Sequence, residues 1–196
     1  MSRENAATVR GVRYRVTLPR EGVSKARTLD ERLFVRFPGL LPRLGRTWMR
    51  LPPPSRFRGL MLTRLVQRGC AAANRRDFDL LMCGLDPAIE LHLPESLAGG
   101  FLPPDLLGVH RGHESYRRMW GNLIEAWPDL KLKPVEILDF GKSALCAVHL
   151  TAHGRHSGIP LEQSIFQVFT LGPGLVIRQK DFAERAKALE AVAAGE

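Results

Sequence analysis

Asp181 is the residue of this chain whose type and setting could carry proton chemistry. It lies near the end of a strand-like run over 175–182, just before a helical pattern that begins at Ala183. A carboxyl group turned into an apolar cavity stays protonated to higher pH and can move a proton near neutrality. The same residue could instead cap the helix from Ala183, with Glu184 complementing the helix dipole. Glu162 is a second carboxylate, placed early in its strand where such groups are commonly solvated. His149, His153 and His156 invite a metal reading. His149 and His153, however, are separated along one strand by roughly 13 Å of rise, and His156 falls in a turn. No metal site is expected. Cys70, Cys83 and Cys146 stand apart with no C-x-x-C spacing. They read as small buried hydrophobes, natural in a reducing, cytoplasmic setting. No phosphate-binding loop, dinucleotide fingerprint or serine nucleophile elbow is present, and no cofactor is expected.

These residues must be positioned by a modest set of elements. Ser55 can cap a helix that runs to about Asn74, with Leu60, Leu62, Leu65, Val66, Cys70 and Ala73 roughly on one face. A break at Asn74-Arg75-Arg76 precedes a short helix from Asp77 and a strand over 88–93. A long loop rich in Pro and Gly spans 94–111; such loops often cover sites. The segment from Gly112 to Trp127 predicts a helix with an apolar stripe of Tyr116, Met119, Trp120, Leu123, Ile124 and Trp127. Strands follow over 130–139, 143–153, 159–171 and 175–182, with turns marked by Gly141, by Gly154 to Gly158, and by Gly172-Pro173-Gly174. Side chains alternate along a strand. Ala144, Cys146, Val148 and Leu150 therefore share the more apolar face of their strand, which should look into the cavity. Leu145, Ala147, His149 and Thr151 share the other, the face expected to make a homodimer.

The charge is uneven. Residues 1–58 carry 14 Lys+Arg against 4 Asp+Glu, a net of +10, and residues 59–196 carry 15 against 16, a net of −1. Residues 1–28 read as a disordered basic tail, or as sequence upstream of the true start; Val12, Tyr14 and Val16 alternate as in a strand, but an isolated strand is marginal. Residues 29–54 interleave Leu, Phe and Trp with Arg and end in Pro52-Pro53-Pro54. They read as a helical arm, Pro42 suiting a first helical turn. Three roles are open to the arm: packing on the domain or a partner subunit, lying on an anionic membrane surface, or contacting phosphates. No nucleic-acid motif accompanies the charge, so nucleic acid is not an expected partner.

The order of elements over residues 60–193 resembles the nuclear transport factor 2-like fold and its SnoaL-like branch, which includes polyketide cyclases and ketosteroid-isomerase-like proteins. The residues that carry the resemblance are Asn74-x-x-Asp77-Phe78-Asp79, Ile89-Glu90-Leu91-His92-Leu93-Pro94, Arg111-Gly112-His113-Glu114-x-Tyr116, Gly154-Arg155-His156-Ser157-Gly158 and Asp181-Phe182-x-Glu184. The fold this implies is α+β: a cone-shaped, strongly curved, mainly antiparallel sheet, with helices packed on its concave face around a pocket (a cystatin-like α+β roll). Such a fold hosts many unrelated functions.

Steroid-isomerase chemistry is not expected from this chain. The base that such enzymes carry before a proline corresponds to Leu93, their helix-one tyrosine to Gly69, and their second acid to Phe166; none of these can donate or hold a proton. Nor does the acid–arginine–acid set of epoxide hydrolases of this fold assemble, since Arg178 has the wrong strand parity. What the resemblance does imply is a pocket for a small apolar or aromatic molecule. Its wall would be Trp120, Tyr116, Cys146, Val148, Leu150, Glu162, Ser164 and Phe166, with Val168, Ile177 and Gln179 on the same faces, and Asp181 would be the catalytic candidate. The expected activity is proton-transfer chemistry of a cyclase or isomerase kind. The alternative is a binding or interaction module without catalysis.

Overall fold

The structure, a computed structural model, describes residues 11–15, 26–97, 102–155 and 158–195. Seven strands form one curved, unclosed sheet in the order β1-β4-β5-β6-β7-β2-β3. They are β1 (Val12–Arg15), β2 (Leu85–Leu93), β3 (Gly108–Arg111), β4 (Lys131–Asp139), β5 (Ser143–His153), β6 (Pro160–Leu171) and β7 (Val176–Phe182). Only β2 and β7 pair in parallel; every other pairing is antiparallel. The helices are α1 (Leu29–Arg36), α2 (Leu40–Trp48), α3 (Arg56–Arg75), α4 (Phe78–Met82), α5 (Gly112–Ala126) and α6 (Arg185–Ala194).

The motif residues at the α3–α4 break have structural work. Arg76 takes a left-handed conformation at φ 64° and ends α3. Asn74 closes a two-bond bridge to the backbone of Leu132, accepting its N–H at 2.8 Å and donating to its carbonyl at 3.0 Å. Asp77 caps α4 by accepting from the Leu80 N–H. The Asn74 bonds clamp the end of α3 to the start of β4, beside the cavity wall that Ala73 and Leu132 help to form.

The main core lies between the sheet and helices α3 to α5, and takes in Leu62, Ile89, Leu91, Trp120, Cys146, Val148 and Leu150. A second, smaller core forms on the opposite face, where α6 packs Ala188 and Val192 on Leu138, Leu145 and Val168. Not every helix sits on the concave face, then. The apolar part of the face expected to make a homodimer, Leu145 and Ala147, is buried within the chain. His149 is half-buried and Thr151 exposed.

Two segments depart from the sequence reading. Residues 12–15 are no isolated strand: β1 extends the sheet edge by pairing with β4, Val12 opposite Asp139 and Arg15 opposite Glu136. Its Tyr14 ring lies so close to Gly59 of α3 that a Cβ there would stand 2.3 Å from a ring carbon. The long loop also contains a strand, β3, paired with β2; its four residues are too few to show a periodicity.

The arm packs on the domain. Phe34 of α1 and Trp48 of α2 are buried. Gly45 of α2 meets the β6–β7 turn backbone to backbone, since a Cβ on Gly45 would fall 2.3 Å from the Gly174 carbonyl oxygen. Arg58, in the first turn of α3, is fully buried with Asp139. Its Nε and Nη2 donate to the two carboxylate oxygens at 2.6 and 2.9 Å. Its remaining N–H groups reach the carbonyls of Met49, Leu51 and Gly141. One guanidinium thus joins the end of the arm, the start of α3 and the end of β4.

Candidate functional site

The cavity opens between α3, α5 and the concave face of the sheet. Its main lobe holds about 100 Å³ and is walled by Leu62, Leu65, Val66, Cys70, Tyr116, Trp120, Leu132, Phe169, Gln167 and Gln179, among others. An inner lobe of about 30 Å³ continues past Trp120 to Asp181, between Leu93, Met119, Leu123, Leu150 and Ile165. For scale, an apolar cavity of about 150 Å³ accepts a benzene ring.

The polar groups at the inner end form one connected chain. Gln167 Nε2 donates to Asp181 Oδ2 at 3.2 Å, and Gln179 Nε2 donates to Asp181 Oδ1 at 2.8 Å. Tyr116 donates its hydroxyl to Gln179 Oε1 at 2.9 Å. Burial raises the Asp181 carboxyl to about 6, against the downward pull of the two amides. Burial also pushes the Tyr116 phenol well up; Trp120 pulls the other way and the Asp181 charge adds to the rise. The phenol therefore stays a donor. The Trp120 indole N–H is buried without a hydrogen-bond partner of proper geometry. A buried orphan donor costs free energy unless an acceptor arrives.

Asp181 is not a helix cap. The N-cap position of α6 is Glu184, and both Asp181 oxygens are taken by the glutamine amides. Tyr116, Trp120 and Leu150 line the cavity. Cys146 and Val148 lie on the cavity side of β5 but are fully buried in the core beneath it. Burial raises the Cys146 thiol far above its ordinary value and so keeps it unreactive.

Four assignments on β6 are corrected. Phe166 and Val168 pack in the small core with α6, on the far side of the sheet from the cavity. Glu162 and Ser164 are exposed, and Glu162 pairs with His149 at 3.3 Å. The residues of β6 that face the cavity are Ile165, Gln167, Phe169 and Leu171. The register is the reason. Cys146 stands opposite Gln167 and Val148 opposite Ile165, and cross-strand partners share a face. A one-residue slip in placing the β5–β6 turn inverts the whole strand. On β7, Ile177 is also corrected: the pairing shifts between Arg178, opposite Thr170, and Val176, opposite Leu171, so Ile177 is the extra residue of a bulge and is exposed, while Val176 is buried against the cavity.

The other candidates resolve into ordinary surface chemistry. His153 pairs with Asp129 at 2.7 Å, and His92 with Glu90 at 3.3 Å. His156 and Ser157 lie outside the described residues. Among the described residues no group of three His, Cys, Asp or Glu could hold a metal ion, and no helix is long and apolar enough to cross a membrane.

Beyond the main lobe lies a second cleft of about 50 Å³, between the arm and the domain. Phe34, Leu41 and Trp48 form its outer wall; Leu65, Gly69, Leu81 and Gly84 form the partition that it shares with the main lobe. Two of those four have no side chain. The arm therefore covers this side of the cavity.

Comparison with known proteins agrees with this geometry. The fold is shared with TerC, co-crystallised with polyporic acid, at 17% identity, over 65% of this chain and 96% of that one, with a TM-score of 0.54. It is shared with an NTF2-like protein of unknown function from Burkholderia pseudomallei at 17% identity, over 65% and 93% of the two chains, with a TM-score of 0.55. It is shared also with IdmH, a candidate polyketide cyclase from Streptomyces antibioticus, at 16% identity, over 67% and 97%, with a TM-score of 0.52. No curated protein matches the sequence. The SnoaL-like domain profile matches residues 66–179, the stretch that builds most of the cavity wall, with Leu62, Leu65 and Asp181 just outside it, and the chain belongs to the SnoaL-like domain family.

Proposed function

We propose that this protein binds a small apolar or aromatic molecule in the cavity and moves a proton on it through Asp181. The observation that carries this is one buried carboxyl, titrating near neutrality, at the end of an otherwise apolar pocket. With a pKa of about 6 it is poised to give a proton in mild acid and to take one above it. Gln167 and Gln179 hold the carboxylate in place, and Tyr116 fixes the orientation of the Gln179 amide. The Trp120 N–H, near the Tyr116 hydroxyl but without a hydrogen bond of proper geometry, favours a ligand that brings an oxygen acceptor, so the fitting class is a single-ring phenol, enol or ketone. TerC, which shares the fold, was crystallised with polyporic acid.

A second reading is favoured by one specific observation: both Asp181 oxygens already accept hydrogen bonds. A carboxylate so engaged could serve purely to shape the pocket, and the protein would then be a binding module. Native mass spectrometry of the freshly purified protein is the first test; a small organic adduct is expected. The adduct should survive Asp181→Asn if the residue acts on bound ligand. Solvent-deuterium exchange into the co-purified ligand, fast with the native chain and lost in Asp181→Asn, separates catalysis from binding. Absence of any adduct, together with no thermal protection by a panel of single-ring phenols and ketones, would overturn the pocket reading.

A further inference from the structure

The N-terminal arm has two apolar sides, and the buried one accounts for only half of its composition. Inward, Phe34, Leu41 and Trp48 meet the domain. Outward, Leu29, Leu33, Phe37 and Leu44 are exposed, and so are Phe57 and Leu60 at the start of α3. Single exposed apolar residues are unremarkable. Here six of the ten large exposed ones among the described residues fall within residues 29–60, so they make a concentration rather than a scatter.

The charge along this stretch of chain is of one sign. From residue 32 to residue 76 the chain contains eleven arginines and no acidic residue. Arg58 is buried against Asp139. Arg32, Arg36, Arg43, Arg46, Arg50, Arg56 and Arg64 are all exposed. The carboxylates just ahead are turned to other work: Glu31 is buried against Arg75, and Asp30 pairs with Arg68. The helices lie together, because α1 and α2 share one cleft with Met61, Leu65 and Arg68 of α3. Their outer faces are directed away from that cleft.

We infer that the outer face of α1, α2 and the first turns of α3 docks on an anionic lipid surface, with Leu33, Phe37, Leu44 and Phe57 entering the interface and the arginines meeting lipid phosphates. Apolar residues interleaved with cations are the composition that interfacial helices use, and two weak signals together give stable attachment where one does not. A second copy of this chain fits poorly, since a twofold contact would set arginine against arginine. This inference does not rest on the pocket reading, because none of the four named apolar side chains lines the cavity.

The test is co-sedimentation of the full chain with vesicles of phosphatidylcholine alone and of phosphatidylcholine with phosphatidylglycerol in a ratio of about two to one. Binding is expected to the mixed vesicles only, and to fall away at about 1 M salt, where screening shortens to about 3 Å. The charge variant R32E/R36E/R43E should lose at least about tenfold in affinity. The apolar variant F37S/L44S/F57S should lose binding while keeping all its charge, and circular dichroism should show both variants folded, since the replaced side chains are exposed. Equal binding to neutral vesicles would overturn the inference. So would full binding by the apolar variant, or capture by heparin or RNA with none by either vesicle.

Discussion

Gln167 and Asp181 face each other across the β6–β7 pair as register partners, and the glutamine amide donates to the carboxylate at 3.2 Å. Both are buried. The acid at the end of the cavity is therefore held by its neighbours within the sheet, with no cation among the causes of its shift. Desolvation is left to dominate its titration, and that governs how it responds to pH.

Asp181 should make the fold less stable as pH rises. Its folded-state pKa of about 6 lies above the ordinary 3.8, so between these values the folded chain binds more protons than the unfolded one. Stability from this group is complete below about 4 and is lost as pH climbs through 6. A shift of about two units corresponds to about 3 kcal/mol. Asp181→Asn removes the titration, and Gln167 can turn its amide to suit the new side chain. The melting temperature of this variant, relative to the native chain, should rise steadily from pH 4 to pH 7. Asp77 and Asp129, whose ion pairs hold their carboxyls low, act in the opposite direction but equally in both proteins. A difference that does not change with pH would refute the assignment.

Gln167→Leu should raise the Asp181 pKa further. The native amide favours the charged carboxylate, and removing it leaves desolvation less opposed. The carboxyl carbon of Asp181, followed by NMR against pH, should titrate later in the variant than in the native chain. An earlier or unchanged midpoint would mean that Gln167 has no hold on the acid.

Much of this arrangement was legible in sequence, for physical reasons that also mark where reading stops. The helix stripe of Tyr116, Met119, Trp120 and Leu123 has a period that only one helix face satisfies, and all four residues are buried. On β5 the face of Ala144, Cys146, Val148 and Leu150 is the more apolar and is the one toward the cavity, but nothing in the composition of the other face says that its Leu145 is covered by α6 instead of a second subunit. On β6 the expected face rests on the family resemblance, which puts Phe166 where the register puts Gln167, and a difference of one residue in pairing inverts every side chain of the strand. The pairing of Arg58 with Asp139 spans 81 positions, and nothing local announces it. The alternation around Tyr14 reads as a strand, but four residues gain meaning only beside the partner strand β4, where Tyr14 stands opposite Ile137.

Tyr116→Phe should cost about 1–2 kcal/mol, the penalty for leaving a buried acceptor unpaired. The ring remains, but Gln179 Oε1 loses its donor. With that constraint gone the Gln179 amide can turn and present its oxygen toward Asp181, which disfavours the carboxylate. Chemical denaturation at pH 7.5 should show the loss, and it should shrink at pH 4.5, where Asp181 is neutral. A loss of the same size at both pH values would count as a packing effect unconnected with the acid.

Truncation tests how the arm is held. Deleting residues 1–28 removes β1, and with it the Tyr14 contact on Gly59 and its hydroxyl bond to the Pro53 carbonyl at 2.5 Å. It also removes Arg27, which pairs with Asp77 at 2.6 Å. The melting temperature should therefore fall even for this short deletion. Deleting residues 1–54 should lower it further by uncovering the surface beneath Phe34 and Trp48, each worth roughly 2 kcal/mol of burial. The point variant Arg58→Ala separates the arm's packing from its anchor. It leaves Asp139 buried without its cation, a loss of about 3–5 kcal/mol, whereas Arg58→Ala with Asp139→Ala together should recover part of that cost. Thermal unfolding of the four proteins should therefore rank the single variant well below the double. Equal stability of single and double would show that the guanidinium acts through the carbonyls of Met49, Leu51 and Gly141 instead of through Asp139.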